Sequence, residues 1–164
     1  MPIAEVTFYD VVKWLHVSAI VVGLGATFAY GIFLAVAGKS APRSIPGIMA
    51  GIQATDRMLV VPGVLIILVT GLYLTIDRWE FSDFFVSWGI VAVLILIGLG
   101  ILFYTPNEEK ARVEAERDVE RAGSGKVEFG SEFNRLNGLM ARVGAATGIL
   151  IILTIYVMTA KPFL

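Results

Sequence analysis

The chain has 164 residues, 57% of them apolar and only 16% charged, with a mean hydropathy of +0.79. Soluble domains of this size carry about 45–50% apolar and about 25% charged residues, so an ordinary soluble globular domain is excluded. With 13 basic and 14 acidic residues the net charge is −1, which argues against a nucleic-acid partner, and the absence of cysteine removes disulfides, thiolate metal sites and thiol nucleophiles.

The apolar residues fall in four charge-free runs: Val17 to Ala37 (21 residues), Met58 to Ile76 (19), Phe84 to Thr105 (22) and Val143 to Ala160 (18). A bilayer core about 30 Å thick needs about 20 helical residues to cross it. None of the runs alternates with the period of a barrel strand, and backbone groups in lipid must be satisfied within the segment. The fold class expected is therefore all-α, an antiparallel four-transmembrane-helix bundle in one domain covering 1–164. Its spans are placed at about 8–38, 55–77, 84–104 and 135–161.

The first run follows Glu5 and Asp10 and lacks an A-x-A-like exit, so it reads as a retained span rather than a signal peptide. In the following connection Ile45, Ile48 and Ile52 recur on one face, which predicts a short helix lying in the membrane interface. Pro62, near the start of the second span, predicts a lost hydrogen bond or a bend. The loop 77–83 brings Trp79 and Phe81 to the interfacial belt. After the third run, Thr105-Pro106-Asn107-Glu108 reads as a capping box, so the helix should break at Tyr104 and a new one begin. That new helix, Glu108 to Arg121, has ten charges in fourteen residues, with Glu108/Arg112 and Asp118/Arg121 at ion-pair spacing, and reads as a solvated helix. Gly123-Ser124-Gly125 ends it. Phe133, Leu136 and Met140 then recur on one face, so the fourth helix should start before the membrane.

Lysine and arginine set the orientation. The connections 38–57 and 105–142 carry ten of them, whereas Lys13, Arg78 and Lys161 are the three on the other side. This places both connections in the cytoplasm and both termini outside, in the inner (plasma) membrane.

Small residues mark helix contacts within lipid. His16, Ala19, Gly23, Thr27 and Tyr30 form one stripe on the first helix, and Gly144, Thr147, Gly148, Ile151, Ile155 and Met158 form another on the fourth. Gly63, Thr70 and Gly71 are the corresponding residues of the second helix, and Gly89, Ala92 and Gly100 those of the third. Gly23, Thr27, Gly71, Gly144 and Gly148 are the packing candidates. The sole histidine, His16, heads its stripe about one turn into the membrane. An ionisable group there is costly and usually functional. Its imidazole could ligate haem iron, with Met158 as a candidate second ligand, or move a proton. The structural alternative is an imidazole hydrogen-bonded to a hydroxyl of helix 2 or 4. No other metal or catalytic constellation is present, and no carboxylate lies inside a span, which argues against a carboxylate proton relay.

Lys13-Trp14-Leu15-His16-Val17, Arg57-Met58-Leu59-Val60-Val61-Pro62 and Thr70-Gly71-Leu72-Tyr73-Leu74, with Trp88 opening helix 3 and Arg142 preceding helix 4, resemble a bacterial superfamily of four-helix membrane proteins. It includes HemJ-type protoporphyrinogen oxidases, the copper-resistance D membrane domain and a large family of predicted integral membrane proteins of unknown function; the last is the nearest match. In the HemJ-like group the helix 1 histidine is associated with haem, which implies His16 here as the ligand of a haem b. Those proteins also have a lysine in helix 3 after the tryptophan, where this chain has Gly89-Ile90-Val91-Ala92-Val93. Three functions stay open: a non-enzymatic membrane module, as accessory subunit or homo-oligomer; a haem- or porphyrin-binding redox protein using His16; and a small-molecule carrier or channel. The lipid bilayer is the one partner all three share.

Overall fold

The computed structural model describes residues 5–163. Four long helices make the fold: α1 (Phe8–Ser40), α2 (Pro42–Arg78), α3 (Phe84–Ala122) and α4 (Ser131–Ala160), each long and apolar enough to cross a bilayer. They run antiparallel in chain order. The 79–83 loop and the outer ends of α1 and α4 share one end of the bundle, called here the terminal end. The charged segment and the 41–44 connection share the other, the charged end. Side chains that would be core in a soluble protein instead face outward, among them Val21, Ile32, Phe33, Val69, Leu102, Ile149 and Ile152. An exterior this apolar is what lipid solvates.

Local chemistry starts and stops the helices. Thr7 caps α1, accepting from the Asp10 N–H at 3.3 Å while the Asp10 carboxylate accepts from the Thr7 N–H at 3.1 Å. Helix α3 ends at Ala122, where Gly123 turns the chain with a φ of +52° that glycine alone adopts readily. Helix α4 begins at Ser131, ahead of its charge-free run as the Phe133/Leu136/Met140 pattern predicts. Its first turn is capped from another helix, because the buried Asp118 of α3 accepts the Gly130 N–H at 2.8 Å.

Three wide, π-helical turns interrupt these helices, at Ile20–Leu24, Asp56–Val60 and Leu99–Tyr104. Two of them end two residues before a proline, Pro62 and Pro106. A proline ring clashes with the carbonyl four residues back and provides no N–H, and a widened turn relieves that clash without ending the helix. This corrects the expected break at Tyr104. The Thr105 hydroxyl does not cap a new helix but donates to the Gly100 carbonyl at 2.9 Å, and the Asn107 amide donates to the Phe103 carbonyl at 2.6 Å. The Gly100 and Phe103 carbonyls beside Pro106 thereby have partners, and α3 runs on for another five turns.

The second correction concerns Ile45, Ile48 and Ile52. They do not form a separate helix. Their segment is the first part of α2, and it stands against the charged extension of α3. Ile45, Met49 and Ile52 are buried, and Ile45 and Met49 pack with Ala37, Phe133, Leu136 and the fully enclosed Ala111 and Ala115. The charged helix thus has an alanine stripe on its inner face, and the bundle continues past the charge-free runs with an aliphatic core of its own. Two further clusters fill the rest. Ala19, Leu24, Val64, Ile67 and Ile151 close the middle of the bundle, and Phe85, Val86 and Val157 close the terminal end.

Candidate functional site

Helices α1 and α2 approach most closely at Gly23 and Gly63. A Cβ on Gly63 would lie 2.8 Å from the Gly23 Cα, so only glycine at both positions allows this crossing. Two turns nearer the terminal end, the His16 ring fills the space beside Gly71, its Cε1 3.2 Å from where a Cβ would stand. His16 Nδ1 is 2.8 Å from the Thr70 hydroxyl oxygen. That hydroxyl has one proton and directs it to the Ile66 carbonyl at 2.5 Å. Nδ1–H is therefore the donor, Thr70 the acceptor, and Nε2 keeps its lone pair.

The same device recurs elsewhere. Trp88 Nε1–H donates to Thr154 at 3.1 Å, and Thr154 donates to the Leu150 carbonyl. The Tyr104 hydroxyl lies 3.2 Å from Thr147, which donates to the Val143 carbonyl. In each case a threonine satisfies its proton on its own helix and presents a lone pair to an aromatic ring on a neighbour. The spans are cross-braced without an unpaired polar group: among the described residues no buried side-chain nitrogen or oxygen lacks a partner.

The remaining sequence candidates are placed as follows. Met158 lies over Gly89, where its methyl occupies the space a side chain would take, in the terminal-end cluster of α3 and α4. It does not belong to the α1–α2 contact that holds His16. A Cβ on Gly148 would stand 3.4 Å from the ring of Phe28 and one on Gly144 3.7 Å from the Tyr104 hydroxyl, and Thr27 donates to the Leu24 carbonyl at 2.7 Å beside the wide turn of α1.

A second constellation escaped the sequence reading. At the charged end of the membrane run, the Tyr30 hydroxyl donates to Asp56 Oδ1 at 2.9 Å, and the half-buried Glu108 carboxyl lies close enough to Asp56 to feel its charge. Helices α1, α2 and α3 meet through these three side chains, and Asp56 and Tyr104 belong to the two proline-linked wide turns. Burial, reinforced by the charge on Asp56, pushes the Glu108 carboxyl up to about 7. Glu108 is therefore not the ion-pair partner of Arg112 that the helical spacing suggests. Arg112 is held by Glu109 and Glu116 on the exposed face, while Asp118 and Arg121 do pair, at 3.3 Å. One signal could have found the pair: Asp56 and Glu108 are the first carboxylates beyond the charge-free runs of two antiparallel neighbours, and so share one depth.

Residues 10–162 match the family described as predicted integral membrane protein (DUF2269). The chain belongs to this family. No curated protein and no solved structure matches it. The family description agrees with the four apolar helices and makes this DUF2269 chain an integral membrane protein; the HemJ-like and copper-resistance resemblances are outside what the match covers.

Proposed function

We propose that this chain is a non-enzymatic four-helix module of the inner membrane, acting as an accessory subunit or a homo-oligomer. The observation that carries this reading is the bond from His16 to Thr70. The sole imidazole, the residue best suited to chemistry, is used to tie α1 to α2, as Trp88 and Tyr104 tie α3 to α4. The aliphatic middle formed by Ala19, Leu24, Val64, Ile67 and Ile151 favours a packed module over a carrier or channel. The basic excess of the charged end, ten residues against three, supports a cytoplasmic position for 38–57 and 105–142 and extracytoplasmic termini. Native mass measurement of the extracted protein tests the reading: a defined homo-oligomer or a stoichiometric complex is expected, and a monomer that turns over a substrate refutes it.

A second reading rests on Nε2. A ligating histidine donates its other ring N–H to a fixed acceptor, and Thr70 provides one, so His16 could hold a haem b on its free nitrogen. Met158, against Gly89 in another cluster, gives no support as the second ligand. The absorption spectrum separates the readings. A Soret band lost in His16→Ala supports haem. A featureless spectrum, with His16→Ala costing about 0.6–2 kcal/mol of bundle stability, supports the module.

A further inference from the structure

The arginines of the charged segment that joins α3 to α4 are paired. Between residues 105 and 142, Arg112 lies 2.7 Å from Glu109, Arg117 2.6 Å from Glu114, Arg121 3.3 Å from Asp118 and Arg135 2.6 Å from Glu132. Arg142 is the exception: among the described residues no carboxylate comes within 4 Å of it. It is also the residue immediately before the charge-free run of α4, where a guanidinium stands at the level of lipid phosphates.

Directly inward of Arg142, α3 and α4 leave between them a shallow groove of about 380 Å³, open to the surrounding lipid. Ile95 and Leu99 form one wall, and Ala146 and Leu150 the other. On α4 the lining steps by whole turns from Arg142 through Ala146 to Leu150, a reach of about 12 Å at 1.5 Å per residue. The small side chain of Ala146 leaves the space. The one hydroxyl in the lining, that of Thr147, is already engaged with Val143 and Tyr104. The groove therefore has a single unpaired cation at its interfacial mouth and nothing but hydrocarbon surface below it.

We propose that this groove binds an anionic phospholipid, its phosphate on Arg142 and one acyl chain between Ile95, Leu99, Ala146 and Leu150. The guanidinium fork matches two phosphate oxygens, and a straight chain fits a cleft whose walls are aliphatic along its whole depth. A headgroup without a compensating ammonium leaves the phosphate's charge to Arg142 alone, so the site prefers anionic to zwitterionic lipid.

The test uses the full-length protein in a neutral detergent, titrated with phosphatidylglycerol or phosphatidylcholine of identical chains and read by native mass spectrometry. One cationic residue at a membrane surface contributes about 1 kcal/mol, so the anionic lipid should bind about fivefold more tightly. Arg142→Gln should bring the two lipids to equal affinity. Ala146→Phe should weaken both at once, and its helical circular dichroism should match wild type because the site faces outward. Arg135→Gln, at an arginine already on a carboxylate, should keep the preference. A preference that survives Arg142→Gln overturns the proposal. So does displacement of the lipid by inorganic phosphate at equal concentration, which would make the site one for the free anion. A dimer abolished by Ala146→Phe overturns it as well, because a second copy would then fill the groove.

Discussion

Glu108 offers the sharpest test of the packing at the charged end. Its carboxyl holds a proton up to about pH 7 in the folded bundle, against an ordinary value of 4.5 when the chain is unfolded. The folded state therefore binds more protons than the unfolded one between those two values, and stability falls as the pH rises through that window. Below 4.5 both states are protonated, and this group imposes no penalty. At about 1.4 kcal/mol per pH unit, ionising Glu108 in place costs on the order of 3 kcal/mol. Glu108→Gln keeps the shape beside Asp56 but cannot ionise. The variant should match wild type near pH 4 and exceed it by about 3 kcal/mol at pH 8, a difference resolvable by detergent unfolding followed through tryptophan fluorescence. Glu109→Gln is the control. That carboxyl is exposed and held below its ordinary value by Arg112 and Gln53, so it contributes no slope above pH 5. A wild-type protein whose stability is flat from pH 5 to 8, or a Gln variant with the wild-type slope, would refute the buried pair.

Other substitutions probe the remaining contacts. Gly63→Val forces backbone apart at a 2.8 Å approach and should cost at least about 1–3 kcal/mol, measured as the same unfolding free energy; an unchanged value would mean α1 and α2 do not cross there. Asp118→Ala removes both the cap on Gly130 and the ion pair to Arg121. It should cost about 1–3 kcal/mol and speed amide exchange at the start of α4, whereas Arg121→Ala should cost far less. For orientation, Ser82→Cys should react with an impermeant reagent in intact cells and Ser124→Cys should not; the reverse pattern inverts the topology.

The four spans were legible because lipid imposes a single requirement, some twenty uncharged helical residues, and Val17 to Ala37 or Phe84 to Thr105 meets it on inspection. The stops were legible where one residue decides them, as Gly123 does with its positive φ. Tyr104 was misread because Thr105-Pro106-Asn107-Glu108 satisfies the local grammar of a helix start. What overrides that grammar is a wide turn upstream, which lets the helix carry Pro106 in its interior. Ile45, Ile48 and Ile52 gave the correct face but not the surface they meet: headgroups and an alanine stripe on α3 both reward the same apolar spacing. Asp56 and Glu108 were passed over because each, taken alone, is an ordinary charge at a helix end. Only the antiparallel pairing of α2 and α3 makes them partners.

The wide turns have a consequence for how this chain tolerates change in length. Each accommodates one residue more than an α-helical turn would, and so rotates everything beyond it by about 100°. Leu99–Tyr104 stands between the membrane run of α3 and its charged extension. Deleting one residue there would tighten the turn and swing the extension about its axis, turning Ala111 and Ala115 away from Ile45 and Leu136 and drawing Glu108 off Asp56. The membrane half would remain in register while the outer half lost its core. The two halves of α3 are thus geared to each other through a single surplus residue, and an insertion in one half could be absorbed by a compensating deletion at the gear.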